Sequence, residues 1–213
     1  MLTSIVRAIM FVIGLPIRLI WFLLGWRAEG NLPKLDKMVI LAVPHTSNWD
    51  YALMIPFAFR EGRRPQTTTK HTLFKPPLGW LLRLTGAFPI DRDHAMGVVG
   101  QLVETLDNAD RMILMFTPEG TRGKTSHWKV GFYQTAVGAN VPIILGYVDY
   151  KRKVMGVSDP LYPTGDLETD FEKIKAFYEA NGYPRHPERW SDLALRERDI
   201  RRNKEELAQA ENA

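Results

Sequence analysis

The 213-residue sequence predicts an α/β domain in which a mixed, partly parallel sheet is flanked by helices. Two observations lead there. Apolar runs of strand length recur at 38–43, 112–116 and 141–148, and helix-compatible stretches lie between them. The composition, 45% hydrophobic and 24% charged, is that of an ordinary globular chain. A third observation adds an element in front of the domain. From Ala8 to Trp26 nineteen residues carry one charge, Arg18, and one proline, Pro16.

That N-terminal run is just long enough to span a bilayer. Arg18 near its middle and the kink expected at Pro16 argue against a simple span. The preferred reading is a membrane-associating kinked helix, or helix pair, lying in one leaflet, with Trp21 and Trp26 at the interface. A single span is the second reading. A cleaved signal peptide and a buried core helix are the remaining two. The division expected from this is a membrane-associating segment at 1–28, a main domain at 29–184 and a charged tail at 185–213.

The elements follow in order. MVILAV (38–43) is a buried strand, and the polar stretch Pro44–Asp50 follows it. Residues 49–59 suit a helix, and the β-branched QTTTK (66–70) a short strand. Pro76 and Pro77 open a helix over LGWLLRL. Residues 86–93 read as a loop and short strand, 95–108 as a helix, and MILMF (112–116) as a second buried strand. A glycine-containing loop spans Thr117–Lys124. A helix over 131–139 leads to a strand at 141–148, with Lys151–Val157 as a hairpin partner or edge strand. Leu167, Phe171, Ile174 and Phe177/Tyr178 recur at helical spacing, and Asn181-Gly182 and Pro184 close that helix. The tail is a solvated helix or a mobile segment.

The chain has no cysteine, which excludes disulfide frameworks, thiolate metal sites and cysteine nucleophiles. Net charge is +4, and residues 1–75 hold ten Lys/Arg against four Asp/Glu. A basic first third beside an apolar run points to an anionic partner, either a membrane surface or a phosphorylated substrate. Nucleic acid is not expected, because no helix-turn-helix, zinc-finger or RNP pattern is present.

In such sheets, sites gather where strands give way to loops. Three polar segments qualify. P-H-T-S-N-W-D places His45 and Asp50 five residues apart after a strand, so the carboxylate can hold one ring N–H while the other nitrogen acts as general base. F-P-I-D-R-D offers Arg92. F-T-P-E-G-T-R offers Glu119, a tight turn at Gly120, and the planar fork of Arg122 for phosphate. Ser47 lies near His45, but no G-x-S-x-G elbow exists. A His–Asp pair without an enzyme nucleophile suits direct attack by a substrate hydroxyl.

The order H-x4-D, G-A-F-P-I-D-R, P-E-G-T-R and V-P-I-I, in register from about Val39 to Ile144, resembles the glycerolipid acyltransferases of the lysophosphatidic acid acyltransferase type. The resemblance implies a glycerol-3-phosphate acyltransferase-like fold. It implies that His45, partnered by Asp50, deprotonates an acceptor hydroxyl that attacks an acyl thioester. It assigns Arg92, Glu119, Gly120, Thr121 and Arg122 to acceptor and phosphate binding, with Lys70 and Lys75 beside them, and Val141, Pro142 and Ile143 to the acyl-donor region. It implies no metal and no organic cofactor, with acyl-CoA or acyl carrier protein as co-substrate. It also implies membrane lipids as partners and a place at the cytoplasmic face of a membrane. The expected acceptor is a lysophospholipid, first of all 1-acylglycerol-3-phosphate giving phosphatidic acid. Pro44, Gly123 and Leu145 depart from the residues common in the family, which leaves a lyso-aminolipid or other lysophospholipid as the alternative acceptor.

Overall fold

A computed structural model describes residues 15–16, 18–61, 65–84, 86–91 and 97–211. A five-stranded sheet organises it. Its strands are β1 (Arg27–Glu29), β2 (Lys37–Val43), β5 (Met112–Phe116), β6 (Ile143–Asp149) and β7 (Val154–Val157), in the spatial order β1-β7-β6-β2-β5. β2 runs parallel to both β5 and β6, β1 runs parallel to β7, and β6 and β7 form an antiparallel pair. A second, two-stranded parallel sheet joins β3 (Thr67–Lys70) to β4 (Ala87–Ile90). Gln66 stitches it to the free edge of the first: its N–H donates to the Ile113 carbonyl at 2.7 Å, and its carbonyl accepts from the Met115 N–H at 2.8 Å.

β2, β5 and β6 read as unbroken apolar runs because both faces of the sheet are covered. Val39, Leu41, Ile143 and Leu145 point into one cluster with Leu102, Leu106, Phe132, Ile174 and the fully buried Trp128 and Tyr178. That face is covered by α4 (Gly97–Asn108), α5 (Gly131–Gly138) and α6 (Leu167–Asn181). Met38, Ile40, Ile144 and Val148 point the other way, into a cluster with Trp21, Trp26 and Phe57. The covering elements there are α1 (18–23) and α2 (Asn48–Glu61). α3 (Leu78–Leu84) leads into β4, and α7 (Glu197–Glu211) runs near the C-terminus.

Local chemistry sets the ends of α6. The Asp166 carboxylate accepts the N–H groups of Glu168 and Thr169, capping the first turn, and Gly182 follows the last residue. α7 contacts α6 through Asn203, which accepts the Leu167 N–H and donates to the Gly165 carbonyl, and through a 2.6 Å Lys204–Glu168 ion pair.

The expected mixed α/β sheet is found. The N-terminal expectation is modified. Residues 1–14 and Ile17 lie outside the described residues, and no described helix is long and apolar enough to cross a membrane. Trp21 and Trp26 are not interfacial residues. They are buried, stack on each other at 6.3 Å and pack on the sheet, because residue 27 immediately enters β1. Leu19, Ile20, Phe22, Leu23 and Leu24, on and just after the same helix, are exposed. Residues 185–195 are not a mobile tail. Ser191 is buried, Leu193 and Leu195 pack on the core, and the Trp128 N–H donates to the Ala194 carbonyl.

Candidate active site

His45 stands two residues beyond β2, at the end of the strand where β6 delivers Tyr147–Asp149 alongside. The chain turns there into α2, and Asp50 in its first turn closes that turn. Asp50 Oδ2 accepts the N–H groups of Thr46 and Ser47, both at 2.8 Å. The same oxygen lies 3.5 Å from His45 Nδ1. The other oxygen, Oδ1, accepts the Tyr150 hydroxyl at 2.6 Å. Burial by itself would raise the Asp50 pKa, but the hydrogen bonds from His45, Tyr150 and the Ser47 N–H outweigh it and hold the carboxyl below its usual value. Asp50 is therefore ionised at neutral pH. It favours the imidazole tautomer with its proton on Nδ1, leaving Nε2 as the base.

Behind His45 lies Glu119, 3% exposed. Its Oε2 accepts the His45 backbone N–H at 2.9 Å, while Oε1 has no hydrogen-bond partner among the described residues. Burial pushes this carboxyl up to about 7, against the opposing effect of the His45 N–H. Glu119 thus pins the loop that carries His45. Gly120 follows in the left-handed conformation at φ +69°, which turns the chain back and brings Arg122 out to the surface. Thr121 Oγ1 accepts the Gly123 N–H inside this turn.

Two cavities meet at these residues. A cavity of about 390 Å³ extends from His45 and Asp50 along the sheet face that carries α2, bounded by apolar groups such as Met54, Phe57, Met115 and Val148. Its floor is open because Ala42 and Gly146, register partners on β2 and β6, are both small. A side chain on Gly146 would strike the Leu41 carbonyl at 2.6 Å. A second cavity, about 330 Å³, is walled by Thr46, Ser47, Asn48 and Trp49 on one side and Arg185, His186 and Arg189 on the other. Arg122 lines both. The arrangement offers a base whose Nδ1 is held by Asp50, an apolar cavity on one side of it and a cationic recess on the other.

The structure brings His45, Asp50, Glu119 and Arg122 together. Arg92 lies outside the described residues. Lys70, the last residue of β3, and Lys75 are exposed and are not among the residues lining either cavity. Val141, Pro142 and Ile143 are not at the site. They are buried where β6 begins, with Ile143 beside Val39, four residues of extended chain (about 13 Å) before the end that reaches His45. The part of β6 that does line the cavity is Gly146–Val148. Sequence reasoning missed Tyr150 and Arg185. Tyr150 sits 100 positions from Asp50, and no local spacing links them.

The profile of the Acyltransferase family matches residues 26–145, more than half of the chain. The chain belongs to the Acyltransferase family. It is 31% identical over 113 residues to the 1-acyl-sn-glycerol-3-phosphate acyltransferase of Streptococcus pneumoniae, covering 51% of this chain and 42% of that protein. It is 31% identical over 123 residues to the protein of the same name from Saccharomyces cerevisiae, covering 54% and 39%. The chain thus matches about two fifths of the length of these relatives. Its fold is similar to that of the 1-acyl-sn-glycerophosphate (LPA) acyltransferase PlsC from Thermotoga maritima, with a TM-score of 0.55, 21% identity, and coverage of 84% of this chain and 80% of that one.

Proposed function

We propose that this family member transfers a fatty acyl group from acyl-CoA or acyl carrier protein to the free hydroxyl of 1-acylglycerol-3-phosphate, giving phosphatidic acid. The observation that carries the reading is the junction itself. The His45–Asp50 pair opens on an apolar cavity, and the next residue, Thr46, lines a cationic one, with Arg122 shared between them. A substrate with an acyl chain and a phosphate head matches both surfaces at once. The names of the two relatives point the same way.

In this mechanism His45 Nε2 takes the proton of the acceptor hydroxyl as its oxygen attacks the thioester carbonyl carbon. A C–O bond forms, the tetrahedral intermediate collapses and the C–S bond breaks. The leaving thiolate takes the proton back from the imidazolium and departs as a thiol. Asp50 stabilises that imidazolium and keeps the ring in register, and Arg122, with Arg92 as the second expected contact, neutralises the acceptor phosphate. No acyl-enzyme is formed. The apolar cavity receives the acyl chain. The exposed apolar residues of α1 support attachment to a membrane surface, and the reading puts the protein on the cytoplasmic face.

The deciding experiment is thiol release from palmitoyl-CoA in detergent micelles, with and without lysophosphatidic acid, for the wild type and His45→Ala. Release that needs both the acceptor and His45 is expected. Normal turnover by a folded His45→Ala protein overturns the mechanism. Acceptor-independent release in the wild type marks the protein as a thioesterase instead.

A further inference from the structure

We propose that the segment 183–190, which lies after the matched family span, supplies the head-group pocket: Arg185 and Arg189 join Arg122 to take a dianionic phosphate monoester on the acceptor. This inference rests on the transfer reading above and adds the residues and charge rule that select the acceptor.

The segment is fastened beside the base at several points. The Tyr150 N–H donates to the Tyr183 carbonyl at 2.9 Å, and the Tyr183 N–H to the Val148 carbonyl at 3.2 Å, so residue 183 pairs in parallel with Asp149, the last residue of β6. Pro184 is buried. The His186 N–H donates to Thr46 Oγ1 at 3.3 Å, tying the segment to the residue after His45. Arg185 is thereby delivered over the ring of Trp49, 5.4 Å from its centroid, on the side of the site that holds Tyr150. A planar guanidinium held by stacking presents its donors in a fixed fork, the geometry that grips phosphate.

The charge around the recess is one-sided. Its lining holds three arginines and no carboxylate. Arg122 and Arg185 have no ion pair among the described residues, and Arg189 shares the exposed Glu188 at 3.7 Å, which His186 Nδ1 also approaches at 3.4 Å. Three cations facing a small polar recess repel one another, so the recess is complementary to a dianion and mismatched to a neutral or cationic head group. That favours a phosphate monoester over a lyso-aminolipid.

Position assigns this phosphate to the acceptor. The recess begins at Thr46, next to the base. In 1-acylglycerol-3-phosphate the reacting hydroxyl and the phosphate sit on neighbouring carbons. In acyl-CoA or acyl carrier protein the phosphate nearest the thioester is a whole pantetheine arm away.

The test uses Arg185→Gln and Arg189→Gln, assayed with palmitoyl-CoA and either lysophosphatidic acid or 1-monoacylglycerol, together with calorimetric titration of glycerol 3-phosphate (glycerol as control). Each variant is expected to raise KM for lysophosphatidic acid at least tenfold, with a smaller fall in kcat and an unchanged KM for palmitoyl-CoA. The preference for lysophosphatidic acid over 1-monoacylglycerol shrinks accordingly. Arg185 also influences Tyr150 electrostatically, so Arg189→Gln is the cleaner variant. A rise in the donor KM instead assigns the pocket to the donor and overturns the proposal. So does unchanged acceptor selectivity in both variants. Glycerol 3-phosphate binding that is lost in the variants, in a wild type that acylates no lysophospholipid, sinks the transfer reading while the pocket stands. Robust lysophosphatidic acid acylation without any arginine dependence does the reverse.

Discussion

The Tyr150 hydroxyl occupies the Asp50 oxygen that faces away from His45, at 2.6 Å, so both oxygens of the carboxylate are fixed and the one nearer the imidazole cannot rotate away. Tyr150 is held in turn by the edge of Trp26, 5.3 Å away, which stacks on Trp21. Burial and the bond to Asp50 both push the Tyr150 pKa well up, so it remains a donor across the working pH range.

Tyr150→Phe removes this donor and leaves the ring packing in place. A drop in kcat of about tenfold, or about 1.4 kcal/mol, with KM nearly unchanged, is expected. The sign with pH is fixed by Asp50. Its folded-state pKa is below the ordinary 3.8, so its stabilising contribution is present above that value and is lost as pH falls through the folded-state pKa. Without Tyr150 that pKa rises, and the acid-unfolding midpoint moves to higher pH. Circular dichroism against pH, beside the pH–rate profile, checks both shifts. A midpoint that does not move would show that Tyr150 merely fills space.

His45→Ala and Asp50→Asn separate base from orienter. His45→Ala deletes general-base help worth typically 10²–10⁴-fold, so turnover falls by about that factor while the fold survives, since His45 is a partly exposed loop residue. Asp50→Asn removes the charge that holds the Nδ1 proton, and it also weakens the acceptor of the Thr46 and Ser47 N–H groups. It therefore lowers both turnover and thermal stability. Rates and melting temperatures of the two variants, compared side by side, test this: equal melting temperatures would contradict the capping role of Asp50.

Much of this site was legible in the sequence because it is local. His45 and Asp50 lie within one turn of chain, and the P-E-G-T-R turn needs only its own glycine. The three buried strands announced themselves as apolar runs. What hydropathy could not say is which end of a strand faces the chemistry. Val141–Ile143 and Gly146–Val148 belong to the same apolar run, and only the parallel register with β2 separates core from cavity wall. Trp21 and Trp26 suit a membrane interface by hydropathy and flanking charge, and the sheet decides for core. Tyr150 and Arg185 reach the site through pairing across β6, a long-range relationship with no periodic trace.

Glu119 gives a second pH signature, opposite in sign to that of Asp50. Its folded-state pKa, about 7, is above the unperturbed 4.5. The stability tied to its bound proton is fully present below pH 4.5 and is lost as pH rises through about 7. Glu119→Gln keeps an acceptor for the His45 N–H and removes the ionisation. The wild type is expected to lose stability relative to this variant between those two pH values. Denaturant unfolding at pH 5 and pH 8 measures the difference. A constant gap between the two proteins would mean that Glu119 stays ionised throughout.

Ala42 and Gly146 leave room in the apolar cavity beside the base. Ala42→Leu places a branched side chain there and leaves His45 and Asp50 themselves unchanged. The expected outcome is a shift in donor preference, with kcat/KM for palmitoyl-CoA falling at least tenfold more than that for a short-chain acyl-CoA. Rates across a series of acyl-CoA lengths give the answer. An even loss at every length would mean that the acyl chain follows another path.

The exposed face of α1 and the residue after it carry the membrane prediction. Phe22 is 71% exposed and Leu23 72%, with Leu19, Ile20 and Leu24 beside them, while Trp21 of the same helix is locked into the core. The helix is therefore anchored by one side and presents the other. Inserting a Leu or Phe side chain into an apolar phase gains roughly 1.5–3 kcal/mol. Replacing Leu19, Phe22 and Leu23 together with serine should cut partitioning onto phospholipid vesicles by at least a hundredfold and leave turnover of a micelle-dispersed, short-chain acceptor largely intact. Vesicle flotation with the full-length protein reads the first effect, and the thiol-release assay reads the second. Flotation equal to wild type would move membrane attachment off this face.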